Sequence, residues 1–279
     1  MEVTRLSPAL GATIGGVDLS RPISDRDRDG LVHALVEHQL LHVPGQHLDD
    51  DQHAAAVRLF GPLAVEGFGD AASEVGFVSN QPGGILGSTA ASWHIDYGFF
   101  EHPYEAISLY GLAVPSGTVT WFVNAVAAAR DLPGPLRRRV ESLTARHVVD
   151  VRSPAGSAGV RVRLGRLDET YPHAVRPVLW SHRVTGEAIL GVWEQQTDAI
   201  LPLAPDESTA LIEELFAHLY QPHHIYVHRW APDDLVIWDN HAVQHSRPDV
   251  GTGQPRILRR VCVGRTQDLS IFAGRRYGA

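Results

Sequence analysis

Apolar positions along the chain recur with two periods. Leu31, Leu35 and Val36 stand at helical spacing behind Ser24 and Asp25, either of which can cap a helix. A second helix opens at the acidic run 49–51, carries Ala55, Ala56, Leu59 and Phe60, and stops at Gly61-Pro62. The clearest helical stripe covers 206–220, with Leu211, Leu215 and Leu219 on one face. Shorter helices are predicted over 125–130 and 135–142. Between them the period drops to that of short strands, at 13–19, 38–43, 93–99, 105–112, 118–123, 174–179, 188–192, 225–230, 235–239 and 257–263. The stretches 68–92 and 152–170 are rich in glycine, serine and other loop formers. They read as loops, with lids expected at 68–92 and 153–170. Short, regularly spaced strands with helices set apart predict a mainly β chain with flanking helices (α+β). Its core would be an antiparallel barrel or sandwich, in a single domain over 1–279.

Composition narrows the function. The net charge is -8, with no basic arm, so nucleic-acid binding is not expected. No apolar run approaches a membrane span, and the first ten residues hold no leader-like core, so a cytoplasmic protein is expected. Cys262 is the single cysteine, which excludes an internal disulfide and Cys-rich metal sites; its apolar flanks predict a buried, inert thiol. There is no lysine. Schiff-base chemistry and a Walker-type phosphate loop are therefore excluded.

The 16 histidines raise metal chemistry. His-x-Asp occurs at His47-Leu-Asp49 and at His94-Ile-Asp96, and context separates the two. Asp49 sits at a helix entry with a capping duty. His94 and Asp96 lie in the aromatic-flanked Trp93-His-Ile-Asp-Tyr97, read as a strand, where residues two apart share a face. An imidazole and a carboxylate there form two-thirds of a facial metal site. A third ligand is open among His182, His218, His223, His224, His228, His241 and His245. His218, His223 and His224 read as surface residues at a helix end, whereas His245 follows an apolar strand, where a loop can aim it back at a barrel mouth.

Several motifs in order resemble one family. Trp93-His94-Ile95-Asp96, Trp238-Asp239-Asn240…Gln244-His245 and Arg256-Ile-Leu-Arg-Arg260-Val261 are similar to those of the taurine dioxygenase family of iron(II)- and 2-oxoglutarate-dependent oxygenases. Gly11…Ile14-Gly-Gly-Val-Asp-Leu19, Phe60-Gly-Pro-Leu63, Pro115-Ser-Gly117…Thr120-Trp121 and His228-Arg-Trp230…Asp234-Leu235 extend the resemblance nearly end to end. It implies a double-stranded β-helix (jelly-roll, cupin-like) with iron(II) held by His94, Asp96 and His245. Three adjacent coordination positions would remain for 2-oxoglutarate and dioxygen. It further implies that Arg256, eleven positions beyond His245, grips the far carboxylate of 2-oxoglutarate, with Thr120 adding a hydroxyl. Arg260 matches a position that contacts anionic groups of the prime substrate, against the alternative of an internal salt bridge. Tyr97, Phe100 and Trp193 are candidate pocket residues, against the alternative of ordinary core aromatics.

The sequence also departs from the family pattern. Between Gly61 and Ser92 it lacks the histidine with which taurine dioxygenase holds sulfonate, Gly117-Thr118-Val119 replaces Gly-Gly-Asp, and His241 replaces an arginine. The resemblance thus implies oxidation, by default hydroxylation, of a C–H bond in a small organic substrate, an anion or a natural-product intermediate being the expected classes and taurine not favoured, with release of succinate and carbon dioxide. A dimer or tetramer is common among relatives. Two alternatives keep the fold: a cupin-like metal-dependent isomerase or lyase, and a binding module without turnover.

Overall fold

The run Leu235-Val-Ile-Trp238 is apolar at every position because its strand is covered on both faces. The computed structural model describes residues 1–67, 72–81, 85–149, 171–251 and 253–268. Its first strands are β1 (Glu2–Arg5), β2 (Ala12–Gly15), β3 (Leu40–Val43), β4 (Val75–Ser79), β5 (Ile85–Leu86), β6 (Ala91–His94), β7 (Ala106–Ala113), β8 (Val119–Asn124) and β9 (Thr144–Val148). Then come β10 (His173–Pro177), β11 (Leu179–Ser181), β12 (Ala188–Leu190), β13 (Thr197–Leu201), β14 (Ile225–Arg229), β15 (Leu235–Asp239), β16 (Val243–Arg247) and β17 (Ile257–Val263). The helices are α1 (Asp25–His38), α2 (Asp50–Arg58), α3 (Ala125–Arg130), α4 (Gly134–Val140) and α5 (Pro205–Leu219).

Two sheets build the core. The larger runs β1-β2-β3-β15-β7-β17-β4-β5 and the smaller β14-β8-β16-β6. Alternation along the large sheet assigns its faces. Leu41, Val43, Leu235, Ile237, Val261 and Val263 pack under Leu31 and Leu35 of α1 and Val57 of α2. Leu40, Val236, Trp238, Ile107, Leu109 and Leu258 point the other way, into the cluster shared with Phe122 and Val243 of the small sheet. This is the jelly-roll arrangement, with its chemistry-bearing residues between the sheets.

Local signals set the helix ends. Ser24 caps α1 by accepting from the Asp27 amide at 3.1 Å. Asp49 and Gln52 form a reciprocal capping box on α2. Leu211, Leu215 and Leu219 of α5 are fully buried, and the helix packs on β13 and α3.

Three expectations are corrected. The stretch 68–92 is not all loop: β4 pairs antiparallel with β17 from Val75 to Ser79, and β5 continues the sheet in parallel. Its backbone pairing needs no apolar stripe, so glycine-rich sequence concealed it. Second, β16 is a strand where the lack of an apolar run in Val-Gln-His-Ser-Arg predicts a loop; one of its faces lines the cavity between the sheets. Third, the strand predicted over 93–99 ends at His94, and 96–99 form a turn. The strands β1, β9 and β13 escaped prediction for lack of clear alternation. The expected lid at 153–170 lies outside the described residues, as do 68–71 and 82–84 of the other.

Candidate metal centre

Antiparallel pairing of β16 with β6 sets His245 directly opposite His94, with ring centroids 4.1 Å apart. Asp96 arrives from the turn after β6. Tyr97, at φ +57, reverses the chain there, and Asn240 holds the turn from across the fold. The Asp96 amide donates to Asn240 Oδ1 at 2.9 Å, and Asn240 Nδ2 donates to the Asp96 and Tyr104 carbonyls at 3.0 and 2.9 Å. The shared face expected of a strand is therefore made by a clamped turn.

His94 Nε2 lies 3.6 Å from Asp96 Oδ1 and His245 Nε2 lies 3.9 Å from Asp96 Oδ2. One ligand atom from each residue falls within 4.8 Å of the others, as an ion between them requires. The His94 Nδ1–H donates to the Ser92 carbonyl at 2.7 Å, so Nε2 presents its lone pair to the centre. Burial, then the neighbouring His94, lowers the His245 pKa to about 3 and keeps that ring neutral; Asp96 opposes the shift. Burial by itself would raise the Asp96 carboxyl. Arg260, then His245 and His94, outweigh it and hold the group well below the usual carboxylate range.

The centre lies in a cavity between the sheets. Ile107, Leu109 and Trp238 form an apolar wall, and Thr120, Arg247, Arg256 and Arg260 add polar groups. Arg256 is buried, and its Nε and Nη1 have no hydrogen-bond partner among the described residues. Burial, then Arg247, lowers its pKa to about 9. Thr120 Oγ1 accepts from the Trp230 indole N–H at 2.9 Å, which leaves the threonine hydroxyl hydrogen to donate elsewhere. Arg260 Nη2 sits 3.2 Å from Asp96 Oδ2 and 3.4 Å from Glu66 Oε1.

The other histidine candidates are engaged elsewhere. His182 contacts Asp239 at 2.9 Å, His218 the Ala128 carbonyl at 2.8 Å and His224 Asp131 at 3.2 Å. His224 is fully buried, contrary to the surface position expected of it. His42, His228 and Asp234, and likewise Asp131, His223 and His224, form two further His/Asp groups, but neither lines the cavity. Trp193 is a core residue, stacked on His147 at 3.7 Å between centroids with its indole N–H donating to Gln196. Tyr97 and Phe100 stack on each other at 5.8 Å, beside the cavity wall rather than in it. Cys262 is buried as expected.

Asn240, Arg247 and Glu66 were not singled out as site residues. Asn240 was visible only as part of a motif, and its clamp joins positions 144 residues apart. Arg247 had a readable signal once β16 is known to be a strand, since it shares a face with His245.

Residues 2–262 match the family model described as "Taurine catabolism dioxygenase TauD, TfdA family". The chain is 31% identical to the (S)-phenoxypropionate/alpha-ketoglutarate-dioxygenase of Sphingobium herbicidovorans, covering 91% of this chain and 94% of that one. It is 29% identical to the alpha-ketoglutarate-dependent sulfate ester dioxygenase of Pseudomonas putida, over 94% and 88% of the two chains. Among solved structures, a putative alpha-ketoglutarate-dependent taurine dioxygenase from Burkholderia xenovorans superposes with a TM-score of 0.79 at 27% identity, covering 94% of this chain and 92% of that one. The fold and site define an oxygenase of the jelly-roll class. The chain belongs to the TauD, TfdA family of dioxygenases, enzymes that use 2-oxoglutarate (alpha-ketoglutarate) as co-substrate. Among the described residues no helix is long and apolar enough to cross a membrane.

Proposed function

We propose that His94, Asp96 and His245 hold a ferrous ion, that Arg256 and Thr120 anchor the distal carboxylate of 2-oxoglutarate, and that the enzyme hydroxylates a C–H bond of a small organic substrate. The observation that carries this is the buried Arg256 guanidinium, two of whose nitrogens have no partner among the described residues, in the same cavity as a two-histidine, one-carboxylate cluster. A buried cation without a counter-charge is costly unless an anion arrives. The donor set suits the metal: two neutral imidazoles and a carboxylate on one face fit a non-haem ferrous site with open positions.

When bound, the ion would activate dioxygen as the oxidant and 2-oxoglutarate would supply two of its four electrons, leaving as succinate and carbon dioxide, with the other two drawn from the substrate C–H bond. The chain's own groups do the positioning. Ser92 fixes the His94 ring through its Nδ1–H, and Asn240 fixes the backbone of Asp96. Trp230 occupies an acceptor position of Thr120 Oγ1 through its indole N–H, which leaves the hydroxyl hydrogen for the co-substrate. Ile107, Leu109 and Trp238 keep water from the centre, which strengthens every charge interaction within it.

Anaerobic titration with iron(II) and then 2-oxoglutarate tests the reading. The expected result is one iron per chain and a visible charge-transfer band that needs both additions. A band that survives Arg256→Met unchanged would move the co-substrate site elsewhere. Succinate release across a panel of small substrates then identifies the substrate class.

A further inference from the structure

Of the three buried arginines that line the cavity, Arg256 and Arg260 are in opposite electrostatic situations. Among the described residues Arg256 has no carboxylate against it, whereas Arg260 is engaged twice by one nitrogen, Nη2, at 3.2 Å from Asp96 Oδ2 and 3.4 Å from Glu66 Oε1. Asp96 belongs to the metal cluster, which leaves Glu66 as the counter-charge dedicated to Arg260. The pair is buried, with side chains 7% and 10% exposed.

Glu66 is held there by structure. Its backbone exchanges two 2.8 Å hydrogen bonds with Ser73, and its Oε2 accepts from Cys262 Sγ at 3.5 Å. Cys262 stands two residues beyond Arg260 on β17, so both side chains reach Glu66 from one face of that strand. An anionic head group brought to Arg260 would lie against a carboxylate with little water to screen it. An uncharged oxygen meets no such repulsion. Arg260 lines the cavity and its Nε has no hydrogen-bond partner among the described residues, so a donor remains there for it.

We propose that Glu66 is a specificity residue that neutralises Arg260, so that the prime substrate presents an uncharged oxygen-bearing group to this corner of the cavity rather than a carboxylate, sulfonate or sulfate. The inference rests on the oxygenase reading for where the prime substrate sits. It sets this chain apart from a relative named for phenoxypropionate, which is a carboxylate.

The probes are phenoxyacetate and 2-phenoxyethanol, which share an aryl ether body and differ in charge. Each is titrated into anaerobic protein loaded with iron(II) and 2-oxoglutarate, with tryptophan fluorescence as readout because Trp238 lines the cavity. Wild type is expected to bind 2-phenoxyethanol at least about tenfold more tightly than phenoxyacetate. Glu66→Gln should tighten phenoxyacetate by about tenfold or more and leave 2-phenoxyethanol within about threefold. Glu66→Ala is the second variant should Glu66→Gln fold poorly, and the wild-type comparison needs no variant. Preference for phenoxyacetate in wild type overturns the proposal, as does the absence of any gain for the anion in a folded Glu66 variant. Loss of the iron and 2-oxoglutarate band in wild type would instead remove the oxygenase reading. The ratio between the probes, set by the Arg260–Glu66 pair in the chain itself, would still be measurable on metal-free protein.

Discussion

Arg256→Met should separate stability from function in opposite directions. The guanidinium is buried, its Nε and Nη1 are unpartnered, and burial and then Arg247 bring its pKa from 12.5 to about 9. The depressed value means that the folded state disfavours the charged form. At pH 7, below both values, the full penalty is present; it is relieved progressively as the pH rises from about 9 to 12.5. A difference of about 3.5 at about 1.4 kcal/mol each sets an upper bound of about 5 kcal/mol. Methionine keeps the apolar stem and discards the charge. A net gain of roughly 1–3 kcal/mol in the ligand-free protein raises the melting temperature by roughly 2–12 °C for a chain of this size. Meanwhile the distal carboxylate of 2-oxoglutarate loses its cation, which costs about 2–5 kcal/mol of binding, or roughly 30- to 4,000-fold in Kd. Differential scanning fluorimetry without metal or 2-oxoglutarate, beside isothermal titration of 2-oxoglutarate into metal-loaded protein, reads both effects. A variant that melts lower than wild type and binds 2-oxoglutarate within about threefold would refute the reasoning.

Other substitutions probe the centre and its support. His94→Ala should drop bound iron from one per chain to none by metal analysis after desalting; retained stoichiometric iron would remove His94 from the ligand set. Asn240→Ala deletes two hydrogen bonds to the Asp96 backbone and a third to the Tyr104 carbonyl, so urea denaturation should show a loss of about 2–4 kcal/mol. Iron affinity should weaken about 10- to 100-fold through misplacement of Asp96, and unchanged affinity would show that the turn holds without the clamp. Burial, then Arg259, lowers the His53 pKa to about 3, so the unfolded chain protonates first as the pH falls. The stability from neutral His53 is complete above pH 6.5 and is lost between 6.5 and 3, at up to about 1.4 kcal/mol per pH unit. His53→Gln should flatten that slope between pH 7.5 and 5, and an unchanged slope would place the titration on other groups.

The sequence by itself determined the helices and the strands covered on both sides. Ser24, Asp49 and the leucines of α5 act through contacts a few residues apart, and a run such as Leu235-Val-Ile-Trp238 carries its burial in its composition. The ordered motifs around His94, Asp96, His245 and Arg256 likewise pointed to the centre. Strands with one polar face, β16 above all, were not legible, because their residues answer to the cavity rather than to an apolar core. Only the tertiary structure decided that His245 faces His94 across a strand pair, that Asn240 rather than strand geometry aims Asp96, and that Arg260 carries Asp96 and Glu66 as partners while Arg256 carries none among the described residues. Each depends on the spatial meeting of segments far apart in the chain. The electrostatic character of an arginine is a property of what packs against it.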